Sequence, residues 1–75
     1  MKKGYYDGNI VRNFETENKE LCGDGCCANN ECDLWVWRSR DKRCHHKKDV
    51  CFFGDCAFHS DPTHWTAKKS NYLCY

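Results

Sequence analysis

Eight cysteines in 75 residues constrain this chain more than any other feature. A cysteine content above about 8–10 % in a short chain is typical of a scaffold held together by disulfides. The number is even, so every thiol can pair in an oxidising compartment. A chain this short buries little apolar surface, and each disulfide adds roughly 2–4 kcal/mol to the free energy of unfolding. We therefore expect four disulfides, although the sequence alone leaves about a hundred possible pairings.

Length and composition indicate a single domain spanning residues 1–75. Aromatic residues make up 15 % of the chain, which favours a small core built from rings. No apolar run approaches the roughly 20 residues that a membrane span needs. The basic start is not followed by the apolar stretch of a signal peptide. We therefore expect residues 1–3 to be a disordered or expression-derived start of a mature secreted segment.

Hydrophobic patterning predicts a single short helix. Apolar residues and cysteines recur every three to five positions in residues 17–28, which places them on one stripe of a helix. Short strands are predicted for residues 10–14 and 71–75, whereas residues 4–9 are rich in turn-forming types. From residue 49 up to the last strand, aromatic residues are dispersed among Gly, Asp and His, which favours ordered loops.

The clearest strand covers residues 33–38, where apolar side chains alternate between two faces. Trp35 and Trp37 share one face, and at least one of them is expected to fill the core between helix and sheet. Residues 39–42 form a polar turn, so residues 43–47 return as the second strand of a hairpin. These patterns predict a small, disulfide-rich α+β fold, with one short helix packed on a small antiparallel sheet.

The spacing of the central cysteines and aromatics resembles the core of PAN/apple domains. The pattern is Cys22-x3-Cys26-x5-Cys32-x11-Cys44, and an aromatic-x-aromatic pair follows Cys32 in the next strand. The opening residues 4–10 also look like the start of short members of that family. The resemblance covers a little over half of the chain.

This resemblance implies two disulfides that join the helix to the sheet, Cys22–Cys44 and Cys26–Cys32. Because Cys22 and Cys26 are one helical turn apart, both can face a sheet that packs on that side. The other four cysteines lie outside the family pattern. For them we predict the pairs Cys51–Cys56 and Cys27–Cys74.

Positive charge is concentrated between residues 38 and 48, a segment that we call the basic hairpin, although the net charge of the chain is only +1. Cations on a two-stranded ribbon can bind an anion with little loss of chain entropy, and arginine can form paired contacts to sulfate or carboxylate. The alternative is an ordinary solvated turn. The candidate ligand-binding residues are Arg38, Arg40, Lys42, Arg43, His45, His46, Lys47 and Lys48. The candidates for stacking against a ligand are Trp65, Tyr5 and Tyr6.

PAN/apple domains bind proteins and carbohydrates. The resemblance therefore implies an extracellular, non-catalytic module whose basic hairpin recognises an acidic or sulfated glycan, or an acidic protein surface. Nucleic acid is a weaker expectation, because an oxidising compartment rarely presents it. Ser39, Ser60 and Ser70 lie in no nucleophile motif, so no enzyme is expected.

Two other functions stay open at the level of the sequence. The first is a free-standing secreted signalling or defence peptide on the same scaffold, although the near-zero net charge disfavours a membrane-active peptide. The second is an intracellular zinc-stapled module that binds nucleic acid, with Cys51, Cys56, His59 and His64 as ligands. Their spacing departs from the usual zinc pattern, so we expect neither a metal nor a cofactor.

Overall fold

A computed structural model of the protein describes residues 2–6, 9–48 and 58–69. The elements, in chain order, are β1 Lys2–Tyr6, β2 Asn9–Glu15, α1 Lys19–Ala28, β3 Leu34–Arg38, β4 Arg43–Lys48 and β5 Phe58–Lys68. The strands form one antiparallel sheet in the order β1-β5-β3-β4-β2. Within the described residues, the predicted α+β architecture of one helix on an antiparallel sheet is confirmed.

The helix begins two residues later than the sequence pattern predicts, because Asn18 caps it. The Asn18 side chain accepts a hydrogen bond from the Leu21 N–H at 2.9 Å, which satisfies a backbone donor that has no partner within the helix. The buried side of α1 carries Cys22, Gly23 and Cys26. A glycine inside a helix costs about 1 kcal/mol relative to alanine, so cross-links to the sheet are needed to hold this helix.

Two disulfides provide those cross-links. Cys22 is bonded to Cys44 with 5.4 Å between the Cα atoms, and Cys26 is bonded to Cys32 with 5.3 Å between them. They are the two pairs that the PAN/apple resemblance implies. Cys27, also on α1, is disulfide-bonded as well. The predicted pairs Cys51–Cys56 and Cys27–Cys74 involve cysteines outside the described residues, and so does the predicted strand 71–75.

Two strands form where the sequence predicted turns and loops. Residues 2–6 form β1, and residues 58–68 form the long strand β5. These predictions were wrong because pairing between distant parts of the chain overrides weak local strand propensity. Pro62 is tolerated in β5 because the β1–β5 register jumps from Lys3 opposite Trp65 to Gly4 opposite Ser60. Proline therefore lies where no partner on β1 requires its missing N–H.

The side chains of β3 separate two apolar clusters, one on each face of the sheet. On the helix face, the side that α1 covers, Trp35 is fully buried with the four cysteines of the two disulfides. On the far face, Leu34 and Val36 are fully buried and pack with Tyr6 of β1. The predicted alternation of β3 is confirmed, and so is the prediction that at least one of its tryptophans lies in the core.

Candidate functional site

The basic hairpin has the strands and the turn that the sequence predicts. Strands β3 and β4 pair with Arg38 opposite Arg43 and Val36 opposite His45. The turn between them ends at Lys42, whose φ of 55° is left-handed. Because side chains alternate along a strand, directly opposed residues lie on the same face. The register therefore places Arg38, Arg43 and His45 on the far face.

The exposure of the eight predicted ligand-binding residues divides them into three groups. Those exposed are Arg40, Lys42 and Arg43; those half-buried are Arg38, His45 and Lys48; and those buried are His46 and Lys47. The prediction that all eight line a surface site is therefore wrong for His46 and Lys47. Both faces of β4 are covered at these positions, one by the helix and the other by β1.

His46 lies under the helix and holds it to the sheet. Its ring Nε2 lies 3.2 Å from the Cys22 carbonyl oxygen, and its Nδ1 lies 3.2 Å from the Asn29 side-chain amide nitrogen. The carbonyl can only accept, so Nε2 carries the proton and Nδ1 accepts from Asn29. The Phe14 ring meets the imidazole edge-on at 4.9 Å. Burial lowers the pKa of His46, so this imidazole is a neutral structural group.

Lys47 extends across the far face to the first strand. Its Nζ donates a hydrogen bond to the Tyr6 carbonyl oxygen at 2.7 Å and lies 5.9 Å from the centre of the Tyr5 ring. Only 8 % of the residue is exposed. This lysine therefore helps to hold β1 over the far face. Tyr6, a predicted stacking residue, is itself buried in that contact, so its ring is withdrawn from ligands.

Ion pairs order part of the hairpin. Arg38 donates to both carboxylate oxygens of Asp41, from Nε at 2.9 Å and from Nη2 at 2.6 Å. This paired contact holds the pKa of Asp41 down at about 2. Lys42 approaches Glu17 at 3.3 Å, between two exposed side chains, where an ion pair contributes little. Over residues 2–6, 9–48 and 58–69, Arg40 and Arg43 take part in no ion pair.

A row of charged and aromatic side chains crosses the far face beside the turn. His64 of β5 lies directly opposite Arg38, which in turn lies opposite Arg43. The Tyr5 ring is 5.0 Å from that of His64 and stacks on that of His59 at 4.8 Å. Sequence reasoning missed the contribution of β5, because a segment predicted as loop has no register with the hairpin.

His45 lies beside this row, and its environment disfavours the charged imidazole. Its pKa is lowered from the usual 6.5, first by burial and then by the positive charges of Arg38 and Lys47, with Asp41 acting in the opposite direction. His64 is paired with Asp61, the Nδ1 and Oδ2 atoms being 3.2 Å apart. The net charge of this row of side chains therefore depends on whether its histidines are protonated.

Trp65, the third predicted stacking residue, belongs to the helix face. It is half-buried against the helix-side cluster, and its ring is approached by the ammonium groups of Lys3 at 5.0 Å and Lys19 at 4.8 Å. These are ordinary stabilising cation–π distances. The structure therefore separates Trp65 from the exposed arginines, which belong to the turn and the far face.

Metal ligation is limited by disulfide chemistry in the described chain. The sulfurs of Cys22 and Cys44 and a ring nitrogen of His46 lie within 4.8 Å of one another. The two sulfurs are bonded to each other, so neither is the thiolate that zinc requires. Of the four residues of the predicted zinc alternative, Cys51 and Cys56 lie outside the described residues, whereas His59 and His64 both contact Tyr5.

No model of a protein family, no curated protein and no solved structure matches this chain. Among the described residues, no helix is long and apolar enough to cross a membrane. The candidate site is therefore defined by its own geometry: three exposed cations at the end of a rigid hairpin, continued on the far face by an arginine, histidines and a tyrosine.

Proposed function

We propose that the protein is an extracellular, non-catalytic binding module whose basic hairpin binds a sulfated or acidic glycan. The observation that carries this proposal is the exposure of Arg40, Lys42 and Arg43 at one end of a hairpin that is joined to a helix by a disulfide. Two of these three cations, Arg40 and Arg43, have no ion pair among the described residues. They are available to an anion without first giving up a carboxylate.

Rigidity supports binding by so few cations. The Cys22–Cys44 disulfide fixes β4 next to the turn, and the Arg38–Asp41 contact orders the turn itself. A ligand therefore meets cations whose backbone is already ordered, and less conformational entropy is lost on binding. Arginine can form two parallel hydrogen bonds to a sulfate or carboxylate group, which favours these anions over a neutral sugar. An acidic protein surface offers carboxylates too and is the other partner that this chemistry fits.

We propose that the scaffold is a PAN/apple-like domain with four disulfides, secreted into an oxidising compartment. The pairing of Cys22 with Cys44 and of Cys26 with Cys32 supports this proposal, as does the placement of a helix on an antiparallel sheet. Disulfides persist in secreted proteins and are rare in the cytosol. The mass of the unreduced protein tests the number: four disulfides make it about eight hydrogens lighter than the reduced chain. A reduced chain that carries zinc would contradict the proposal.

We propose binding rather than catalysis because hydroxyls beside the cations serve the structure. The Ser39 hydroxyl, in the hairpin turn, donates to the Thr63 carbonyl oxygen at 3.1 Å. The Thr63 hydroxyl lies 2.7 Å from an Asp61 carboxylate oxygen. The Ser39 hydroxyl joins the hairpin turn to β5, and the Thr63 hydroxyl orders β5 itself, roles that are compatible with a rigid binding surface.

Heparin affinity tests the proposed function directly. The triple variant Arg40→Ser, Lys42→Ser, Arg43→Ser should elute from a heparin column at lower salt than the unmodified protein. Each exposed contact contributes roughly 0.2–1 kcal/mol, so we expect the affinity to fall about tenfold at low salt. Near-ultraviolet circular dichroism should be unchanged, because the three side chains are exposed.

Arg12→Ser provides the matched control for Arg43→Ser. Arg12 is an exposed arginine on the neighbouring strand β2, opposite His46, and so belongs to the helix face. Both variants remove one arginine and change the net charge equally. Equal effects of the two on heparin retention would mean that net charge alone governs binding, and would contradict a site on the hairpin.

A further inference from the structure

We propose that this site binds sulfate groups in a proton-dependent manner, with His45, His59 and His64 adding positive charge beside Arg38 and Arg43 as the pH falls. The inference rests on the proposed function and adds to it a ligand group and a mode of regulation. Histidine is the side chain that gains charge between about pH 5 and pH 8. Three of the four histidines of the chain belong to this one region.

The register of the sheet brings the histidines to the arginines. His64 is directly opposite Arg38 on one side of β3, and Arg43 is opposite Arg38 on the other. His45 follows Arg43 on the same face of β4, two residues along. His59 is linked to the group through Tyr5, whose ring it stacks on while the same ring contacts His64. The register therefore places His45 and His64 on the face that carries one pair of arginines, and His59 joins this group through the Tyr5 ring.

Carboxylates already balance part of this charge. The groups that face the histidines, element by element, are Tyr5 on β1, Glu15 on β2, Arg38 on β3, Arg40 and Asp41 in the turn, Arg43 and Lys47 on β4, and Asp61 and Lys68 on β5. With neutral histidines, cations exceed carboxylates only slightly in this set. Protonation of three imidazoles turns a weakly positive surface into a strongly positive one.

An anion bound here and a proton taken up here help each other. Burial and the charges of Arg38 and Lys47 disfavour the charged form of His45, as its lowered pKa indicates. A bound sulfate reverses part of that repulsion and so favours the protonated imidazole. By reciprocity, protonation must tighten the binding of the anion by the same factor. Sulfate esters stay negatively charged at mildly acidic pH. The added positive charge of the protein therefore strengthens the binding of a sulfated ligand in full.

Titration calorimetry at two pH values tests the inference. A heparin oligosaccharide of defined length is the probe, at constant ionic strength, at pH 7.5 and pH 5.5. We expect the unmodified protein to bind about tenfold more tightly at pH 5.5, since three added charge contacts of ordinary strength give a change of this size. The triple variant His45→Asn, His59→Asn, His64→Asn should bind with nearly the same affinity at both pH values.

Two further variants keep the test decisive. His59→Asn with His64→Asn leaves the half-buried His45 in place and should retain only part of the pH response. The Arg40→Ser, Lys42→Ser, Arg43→Ser variant should bind more weakly at both pH values but keep the ratio between them. Hyaluronan oligosaccharides, which carry carboxylates and no sulfates, should bind less tightly than heparin, and equal affinity would overturn the assignment to sulfate.

The possible failures separate the inference from the proposed function. Equal affinity of the unmodified protein at pH 7.5 and pH 5.5 overturns the inference and leaves the proposed function standing. A pH response that survives in the triple histidine variant also overturns the inference. Absence of heparin binding at both pH values overturns the proposed function and the inference together.

Discussion

On the helix face of the sheet, Trp35 is buried among two disulfides, whereas on the far face Leu34 and Val36 are buried beneath Tyr6 of β1, which the Lys47 ammonium helps to hold in place. The residues at the centres of the two clusters alternate along one strand, β3. The helix face is closed by two disulfides and the Trp35 ring. The far face is closed by β1, which is distant from β3 in the sequence. The helix face is held by disulfides as well as by packing, whereas the far face depends on how β1 is held.

This difference between the two faces of the sheet explains which face carries charged side chains. On the helix face, burial keeps the imidazole of His46 neutral by lowering its pKa. The far face contains Lys47, Arg38 and His45 within or beside its apolar cluster. An anionic ligand can therefore bind at the far face and the turn without disturbing the disulfide-bonded core on the helix face.

Trp35→Ala is expected to have the largest effect and tests the helix face. Removing a fully buried tryptophan should lower the free energy of unfolding by about 4 kcal/mol, through lost transfer energy and the cavity left behind. Urea unfolding under non-reducing conditions measures the loss. Trp37→Ala is the matched control, because Trp37 lies on the same face of the same strand but is only half-buried. Equal losses for the two variants would mean that Trp35 is not the centre of this cluster.

The two disulfides should contribute unequally, which is the next largest effect. Cys22 and Cys44 are 22 residues apart, whereas Cys26 and Cys32 are 6 apart. In the chain-entropy description, replacing the first pair by serine costs about 3 kcal/mol and replacing the second costs about 2 kcal/mol. Chemical unfolding of the two double-serine variants measures both losses. A larger loss for the shorter loop would show that helix–sheet packing, not loop entropy, sets the contribution.

Gly4→Ala should have a smaller effect and tests the far face. Gly4 has a φ of +150°, and a Cβ atom there would collide with the His59 carbonyl oxygen and the Phe58 ring. We expect a loss of roughly 2 kcal/mol, because the strand must shift away from β5. Near-ultraviolet circular dichroism and urea unfolding would report the change.

Gly25→Ala is the control for that variant on the helix face. A Cβ at Gly25 would lie 3.3 Å from His46 Cε1 and 3.5 Å from Phe14 Cζ, which is close but not a collision. The gain of about 1 kcal/mol in helix propensity offsets that crowding, so we expect almost no net change. Equal destabilisation by the two substitutions would contradict the difference between the faces.

Local patterns in the sequence were sufficient to predict the helix and the β3–β4 hairpin. Residues 33–38 alternate clearly, and a polar turn follows them directly, so both signals arise within a few positions of each other. Strands β1 and β5 had no such signal, since their partners are distant in the chain. Gly4 and Pro62 favour turns locally, and only the register jump between the two strands makes both residues acceptable.

The candidate site was predictable in its exposed part and not in its buried part. Arg40, Lys42 and Arg43 are exposed because turns and strand ends project into water, which a sequence indicates well. The run of His and Lys after Cys44 also suggests a solvated strand, yet His46 and Lys47 are buried. Their burial depends on the helix covering one face of β4 and β1 covering the other. Neither contact could be derived from the composition of β4.

The strand order also determines the sequence in which the sheet can assemble. Strands β3 and β4 close over a short turn, whereas β1 meets β5 by pairing Lys3 with Trp65, near opposite ends of the chain. The entropy lost in closing a loop grows with its length, so the hairpin should form early and β1 should dock last. Pulsed hydrogen exchange during refolding would show late protection of residues 2–6. Because Tyr5 and Tyr6 arrive with that strand, the far face becomes complete only when the two ends of the described chain meet.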